Sequence, residues 1–360
     1  MIYVKAEDLK VGMRLARPIY NKKGTLLYGR NDKITKQGIE SVKNFGLIGL
    51  YILEPAEPLP PMSEEEIEFE RFQTVGVFSI KGDLDAIMQN KSPANLIKQA
   101  DELISRFGNL YHKISFNQNL RSPEDYVYKH SLNVAILSAL ISHRAGFGVV
   151  EQTEVVVAAL LHDLGKLKLK PALKGKTETL NDEEMAVVAR AVITGVDKIS
   201  NAYNLPAGVK GTLMQLCQLQ YLPENAPDKI SDVVKVLMVA NAYDEYTAMQ
   251  LDIDPHTEVE AIRMLQSRPD LYDPAMVRHL VNSVKILYPG VCVELTNFEK
   301  GLVLNENIND ILKPIVLGFT HNQVYNLDND SVFAEVQIKN IMKTMDNRIK
   351  VDPERLKEYM

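Results

Sequence analysis

The sequence predicts a mainly α-helical protein with a small α/β module at its start and a small β-rich tail. Three observations carry that reading. Apolar residues recur at helical spacing through the middle of the chain. Short apolar runs broken by turn formers mark the opening module and the stretch after Pro289-Gly290. A proline cluster separates the opening module from the helices.

Residues 1–53 hold strand candidates at 1–4, 13–20, 25–28 and 47–53, punctuated by Gly12, Asn21, Gly24 and Gly29. Between them, Ile39, Val42 and Phe45 give 35–45 a helical spacing. Residues 54–62 carry four prolines and no periodicity, the mark of an extended linker. Ser63 with Glu66 then forms the capping-box pattern that starts a helix. Helix dominates from there to about residue 110, most clearly over 90–107, so that 54–120 reads as linker and helical connector. Residues 121–290 read as a helical bundle. Its members are 124–144, the strongly apolar 151–162, a helix opened by Asn181 and Glu184 and running to about 194, then 232–247 and 274–287. In the 291–360 extension, strands are predicted at 291–295, 301–305, 315–319 and 334–338, followed by a charged helix at 353–360.

The chain has 360 residues, 46% hydrophobic and 24% charged, which suffices for two or three small cores. A net charge of -6 disfavours nonspecific binding to nucleic acid or anionic lipid, while a pocket can still carry local positive charge for a small anion. The two cysteines, Cys217 and Cys292, are far apart, so neither a disulfide framework nor a thiolate zinc site is implied. The opening residues lack the pattern of a secretory signal, and no apolar run approaches the roughly 20 residues of a membrane span. The expectation is a soluble, cytoplasmic protein.

Leu161-His162-Asp163-Leu164-Gly165-Lys166 is the sharpest chemical signal. A neutral imidazole beside a carboxylate at a helix end suits divalent iron, manganese or zinc. Gly165 would let the chain leave the helix. Lys166 could hold a phosphate as a point charge, or be a solvated member of the basic loop with Lys168 and Lys170. His130 lies on the preceding helix. Two antiparallel helices joined by a short loop would bring it to His162 and Asp163. Asp244 follows Asn241 by one helical turn, so both could face the same pocket.

His130-Ser131 with Val134-Ala135, then Ala159-Leu160-Leu161-His162-Asp163-Leu164-Gly165-Lys166 about thirty residues later, resembles the HD metal-phosphohydrolase superfamily. Val239-Ala240-Asn241-Ala242-Tyr243-Asp244 is similar to the V-A-D-x-Y-D motif of its HD-GYP branch, whose members hydrolyse the bacterial messenger cyclic di-GMP. Tyr288-Pro289-Gly290-Val291-Cys292-Val293-Glu294-Leu295 is similar to that branch's C-terminal motif, and Leu9-Lys10-Val11-Gly12-Met13-Arg14-Leu15-Ala16 to a module often found ahead of it. The likeness is best over 123–302. It implies an HD-type helical bundle, with His130, His162, Asp163 and Asn241 at metal-ligand positions and His162, Asp163 and Lys166 in catalytic roles, Lys166 on phosphate.

The chain departs from the family pattern at several ligands. Ala191 stands at the histidine of H-P-x-x-G, whose glycine survives as Gly195. Leu213 and Met214 stand at the histidine pair of the next motif, Asn241 at the aspartate of V-A-D, and Tyr126 at an acidic ligand one turn before His130. A two-metal hydrolase needs anionic and imidazole ligands for both cations, so this set implies one divalent metal ion (iron, manganese or zinc) or none. The resemblance with its gaps implies a degenerate member in cyclic di-GMP signalling, catalytically impaired and acting as a binding or regulatory module. Two other readings stay open: a residual one-metal phosphodiesterase for cyclic di-GMP or another phosphoester, and a structural or interaction module in which 213–222 is a docking surface or a filled-in core. The implied partners are a cyclic dinucleotide or another phosphate-bearing ligand and a signalling protein, with a homodimer left open.

Overall fold

The computed structural model describes residues 2–44, 47, 49–53, 62–174, 180–200, 205–250 and 255–342. Most of the proline linker and the whole of the 353–360 helix predicted from sequence lie outside these residues. The chain forms two compact units, Met1–Asp83 and Leu84–Met360.

The first unit contains β1 (Ile2–Lys5), β2 (Ile19–Tyr20), β3 (Leu26–Tyr28), α1 (Lys36–Asn44) and β4 (Gly49–Ile52). β1 pairs antiparallel with β4, and β2 with β3. The turn between β2 and β3 is held by the Asn21 side chain, which accepts from the amides of Lys23 and Thr25. The strand foreseen at 13–20 shrinks to β2, with only single bridges at Arg14 and Leu15. Pro18 has no N–H to give a ladder. Leu9, Leu15, Ile34, Val42, Leu50 and Ile52 form the core. α2 (Glu64–Met88) runs from this unit into the next. Ser63 and Glu66 cap it reciprocally, and Glu64, Glu65 and Glu66 complement its dipole.

The second unit is built on buried helices. In order come α3 (Leu96–Phe107), β5 (Leu120–Arg121), α4 (Tyr126–Arg144), α5 (Val149–Leu161), a 3-10 turn over Leu164–Lys168, α6 (Pro171–Lys174), α7 (Asp182–Ser200), α8 (Val209–Tyr221), α9 (Asp232–Thr247) and β6 (Met249–Gln250). Then follow α10 (Glu258–Ser267), α11 (Pro274–Val281), β7 (Cys292–Leu295), β8 (Lys300–Asn305), β9 (Ile315–Gly318), β10 (Val324–Asn326), α12 (Asp330–Glu335) and β11 (Ile338–Ile341). α4 is the axis: from Tyr126 to Ser142 every residue but Lys129 is buried, between α5 and α9. A helix apolar on all sides can be satisfied only in that position. α10 was missed in the sequence, although Thr257 and Glu260 form its capping box. The segment 213–222 lies largely in α8, with Leu213, Leu216 and Cys217 facing the interior, which is a filled core.

Two predicted elements change. The helix expected at 274–287 stops at Val281, because the chain leaves it to pair Val284 with Ile114 in a parallel bridge. The strand expected at 334–338 moves to β11, because Asn329 caps α12 through the Ser331 amide and holds Ala334 and Glu335 in helix. The tail is an antiparallel sheet of order β10-β9-β8-β7-β11. Arg263 of α10 donates to the Ile338 carbonyl of β11. Among the described residues, no helix is long and apolar enough to cross a membrane.

The 3-10 turn packs backbone against backbone on α7. A Cβ at Gly165 would fall inside the Ala191 carbonyl, and one at Gly195 would lie 2.7 Å from the Gly165 nitrogen. Gly165 is therefore required for close approach, not for a left-handed break. Gly165→Ala should cost the second unit about 3 kcal/mol, the upper range for overpacking. Urea unfolding followed by helical circular dichroism measures this, and an unchanged midpoint would contradict it.

Candidate metal centre

α4 and α5 run antiparallel across the short loop 145–148, where Gly146 takes φ 78°. This places His130, near the start of α4, against His162, the residue that ends α5, and Asp163 after it. All three are buried. Their ligand atoms lie within 4.8 Å of one another, and among the described residues no other His, Cys, Asp and Glu group converges in this way. His130 Nε2 is 3.0 Å from His162 Nε2 and 3.5 Å from Asp163 Oδ2. His162 Nε2 is 3.6 Å from Asp163 Oδ1. Asn241, reaching in from α9, puts Oδ1 3.0 Å from His130 Nε2.

Hydrogen bonds on the far side of each ring set the tautomers. His162 Nδ1 donates to the Ala159 carbonyl at 2.7 Å, and His130 Nδ1 donates to Asp244 Oδ2 at 2.6 Å. In the neutral rings both Nε2 atoms then carry lone pairs. Burial, with help from His130 and Lys166, brings the His162 pKa down to about 4, so that ring is neutral at physiological pH. Two ring nitrogens, a carboxylate and an amide oxygen thus converge as acceptors, an arrangement that a cation relieves. The residues present fit one borderline divalent ion.

Asp244 supports the cluster from behind. Besides His130, it accepts from Arg121 at 2.7 Å, Asn133 at 3.0 Å and Gln118 at 3.0 Å. Burial alone would raise its carboxyl, but Arg121 and His130 outweigh that and hold it below the usual carboxylate range. Arg121 is fully buried and placed by the β5–β6 pairing, in which it sits opposite Gln250. Sequence reasoning missed Arg121. Asp244 was legible through its spacing from Asn241.

Lys166 is buried, with Nζ 2.9 Å from Asp163 Oδ2 and 5.5 Å from the Tyr221 ring centre. It is not the solvated loop lysine that was one of its two sequence readings. Burial opposes its charge, yet Asp163, Tyr221 and Glu245 hold its pKa well above the ordinary lysine value. Burial likewise opposes the Asp163 charge, but Lys166, His162 and His130 bring its pKa to about 2. Two further groups close the site. The Tyr126 ring stacks on His130 at 5.4 Å between centroids, and its buried Oη has no hydrogen-bond partner. Glu245 Oε1, also without a hydrogen-bond partner, lies 3.9 Å from His130 Nε2, and burial raises its carboxyl. Glu245 was not singled out from sequence, though its i+4 spacing from Asn241 was visible.

Leu213 is buried in α8, and Ala191 offers a methyl group on α7 beside Gly165.

The family model described as "HD domain" matches residues 127–245. The cyclic di-GMP phosphodiesterase PA4108 of Pseudomonas aeruginosa is 26% identical over 204 residues, covering 56% of this chain and 49% of that protein. The cyclic di-GMP phosphodiesterase PdeB of Borreliella burgdorferi is 24% identical over 181 residues, covering 48% of this chain and 47% of that protein. The chain thus spans about half the length of the curated relatives it matches. Bd1817, an HDG"Y"P protein from Bdellovibrio bacteriovorus, aligns in structure with a TM-score of 0.46 at 13% identity, over 78% of this chain and 97% of its own. Residues 127–245 are thus an HD domain, and the motifs and the curated relatives around it are of the HD-GYP kind.

Proposed function

We propose that this chain is a binding or regulatory HD-GYP protein of cyclic di-GMP signalling, with one divalent metal ion (iron, manganese or zinc) and impaired phosphodiester hydrolysis. The observation that supports it best is the ligand set. Acceptors for one cation converge at His130, His162, Asp163 and Asn241, while Ala191, Leu213 and Met214 occupy the positions from which a second would be held.

A bound metal ion would supply Lewis acidity toward a phosphoryl oxygen. The chain's own residues set the rest. Asp244 orients His130 so that Nε2 faces inward, and the Ala159 carbonyl does the same for His162. Lys166 carries the charge that could grip a phosphate, but it is buried and already neutralised by Asp163. A phosphate must compete with that ion pair, which weakens the grip of Lys166 on it and so supports impaired turnover. A residual one-metal phosphodiesterase is the second reading, favoured by the survival of Lys166 beside the acceptor cluster.

Three measurements test this. Cyclic di-GMP hydrolysis by the purified chain with manganese or iron should run about a thousandfold below a relative with a complete two-metal site, a barrier about 4 kcal/mol higher; a comparable rate would overturn the proposal. Elemental analysis after reconstitution should find about one metal per chain and none in Asp163→Ala, since a buried imidazole pair alone binds weakly. Asp244→Asn should weaken that metal about 10- to 100-fold, as expected on removing the carboxylate that orients a ligand imidazole. Equal affinity in a titration would show that Asp244 serves only the fold.

A further inference from the structure

The first carboxylate lost from this site has a structural replacement. In the family pattern an acidic ligand lies one turn before His130, where this chain has Tyr126. The Tyr126 ring is stacked on His130, and its Oη reaches no partner. The second loss is the V-A-D aspartate, here Asn241. Glu245 follows Asn241 by one helical turn on α9, so the two side chains share a face. Its Oε1 is buried, has no hydrogen-bond partner, and lies 3.9 Å from His130 Nε2. Asn241 Oδ1 faces His130 Nε2 at 3.0 Å from the same helix.

Charge balance points the same way. Asp163 is matched by Lys166, and Asp244 by Arg121. The two imidazoles and the Asn241 amide add no negative charge in their neutral forms. Without Glu245 the cluster is electrically neutral, and a divalent ion there would be uncompensated. Ionised, Glu245 gives it one negative charge, which burial disfavours until a cation matches it.

We propose that Glu245 is a metal ligand of this chain, supplying from α9 the carboxylate that Tyr126 and Asn241 no longer supply. The assignment rests on the one-metal reading above. It gives a donor set of two imidazoles and two carboxylates, with Asn241 Oδ1 beside them, which suits iron or manganese.

The test uses the full chain with Mn(II) and Co(II). Glu245→Gln keeps the shape but removes the charge. It should weaken Mn(II) at least about tenfold and alter the visible spectrum of the Co(II) form, while the metal-free melting temperature stays level or rises, because an unmatched buried charge has gone. Adding Tyr126→Glu to that variant should restore affinity, since the carboxylate returns from α4. Wild-type affinity in E245Q, with metal lost in the Asp163→Ala control, would overturn the Glu245 assignment and leave the one-metal reading standing. A lower metal-free melting temperature, failure to fold, or no rescue by the double variant would also overturn it, since each shows a structural carboxylate. No metal in the wild type would overturn both.

Discussion

The buried carboxylate of Asp244 organises this protein. Four side chains from two parts of the second unit converge on it, Arg121 and Gln118 around β5 and His130 and Asn133 from α4, with Asp244 itself on α9. Such an ion pair is poor at adding net stability, because removing two charges from water offsets most of their attraction. What it does impose is uniqueness. A half-satisfied version would leave Arg121 or Asp244 charged and alone in an apolar core, so β5, α4 and α9 must meet in one register. The orientation of His130 follows from that register.

The surroundings of the site differ from side to side. α8 turns Leu213, Leu216 and Cys217 into core. The side of the site formed by α4, α5 and α9 keeps its polar groups. Among the described residues the convergent donors come from α4, α9 and the end of α5, and none comes from α7 or α8.

Much of this was legible in the sequence. A short link between two strongly apolar helices forces them antiparallel, so the meeting of His130 with His162 and Asp163 could be read directly. The filled core at Leu213 was one of two stated alternatives for that segment. Arg121 was invisible, because its burial depends on a two-residue parallel pairing between β5 and β6, far apart along the chain. The fate of Lys166 was undecidable for a similar reason: a lysine in a basic loop looks solvated until Tyr221 arrives from α8 to cover it. Helix lengths failed where a local device overrode periodicity, as when Val284 left helical register to bridge Ile114.

The burial of α4 also sets the kinetics of the site. Fluctuations that expose a group usually draw on fraying ends and loosely covered loops. His130 has neither, because it lies on a helix covered on almost every side along most of its length. Its backbone amide should be among the last to exchange with deuterium, since no partial opening uncovers it without loosening α5 and α9 as well. Exchange of that amide then reports the opening of α4, α5 and α9 as one unit.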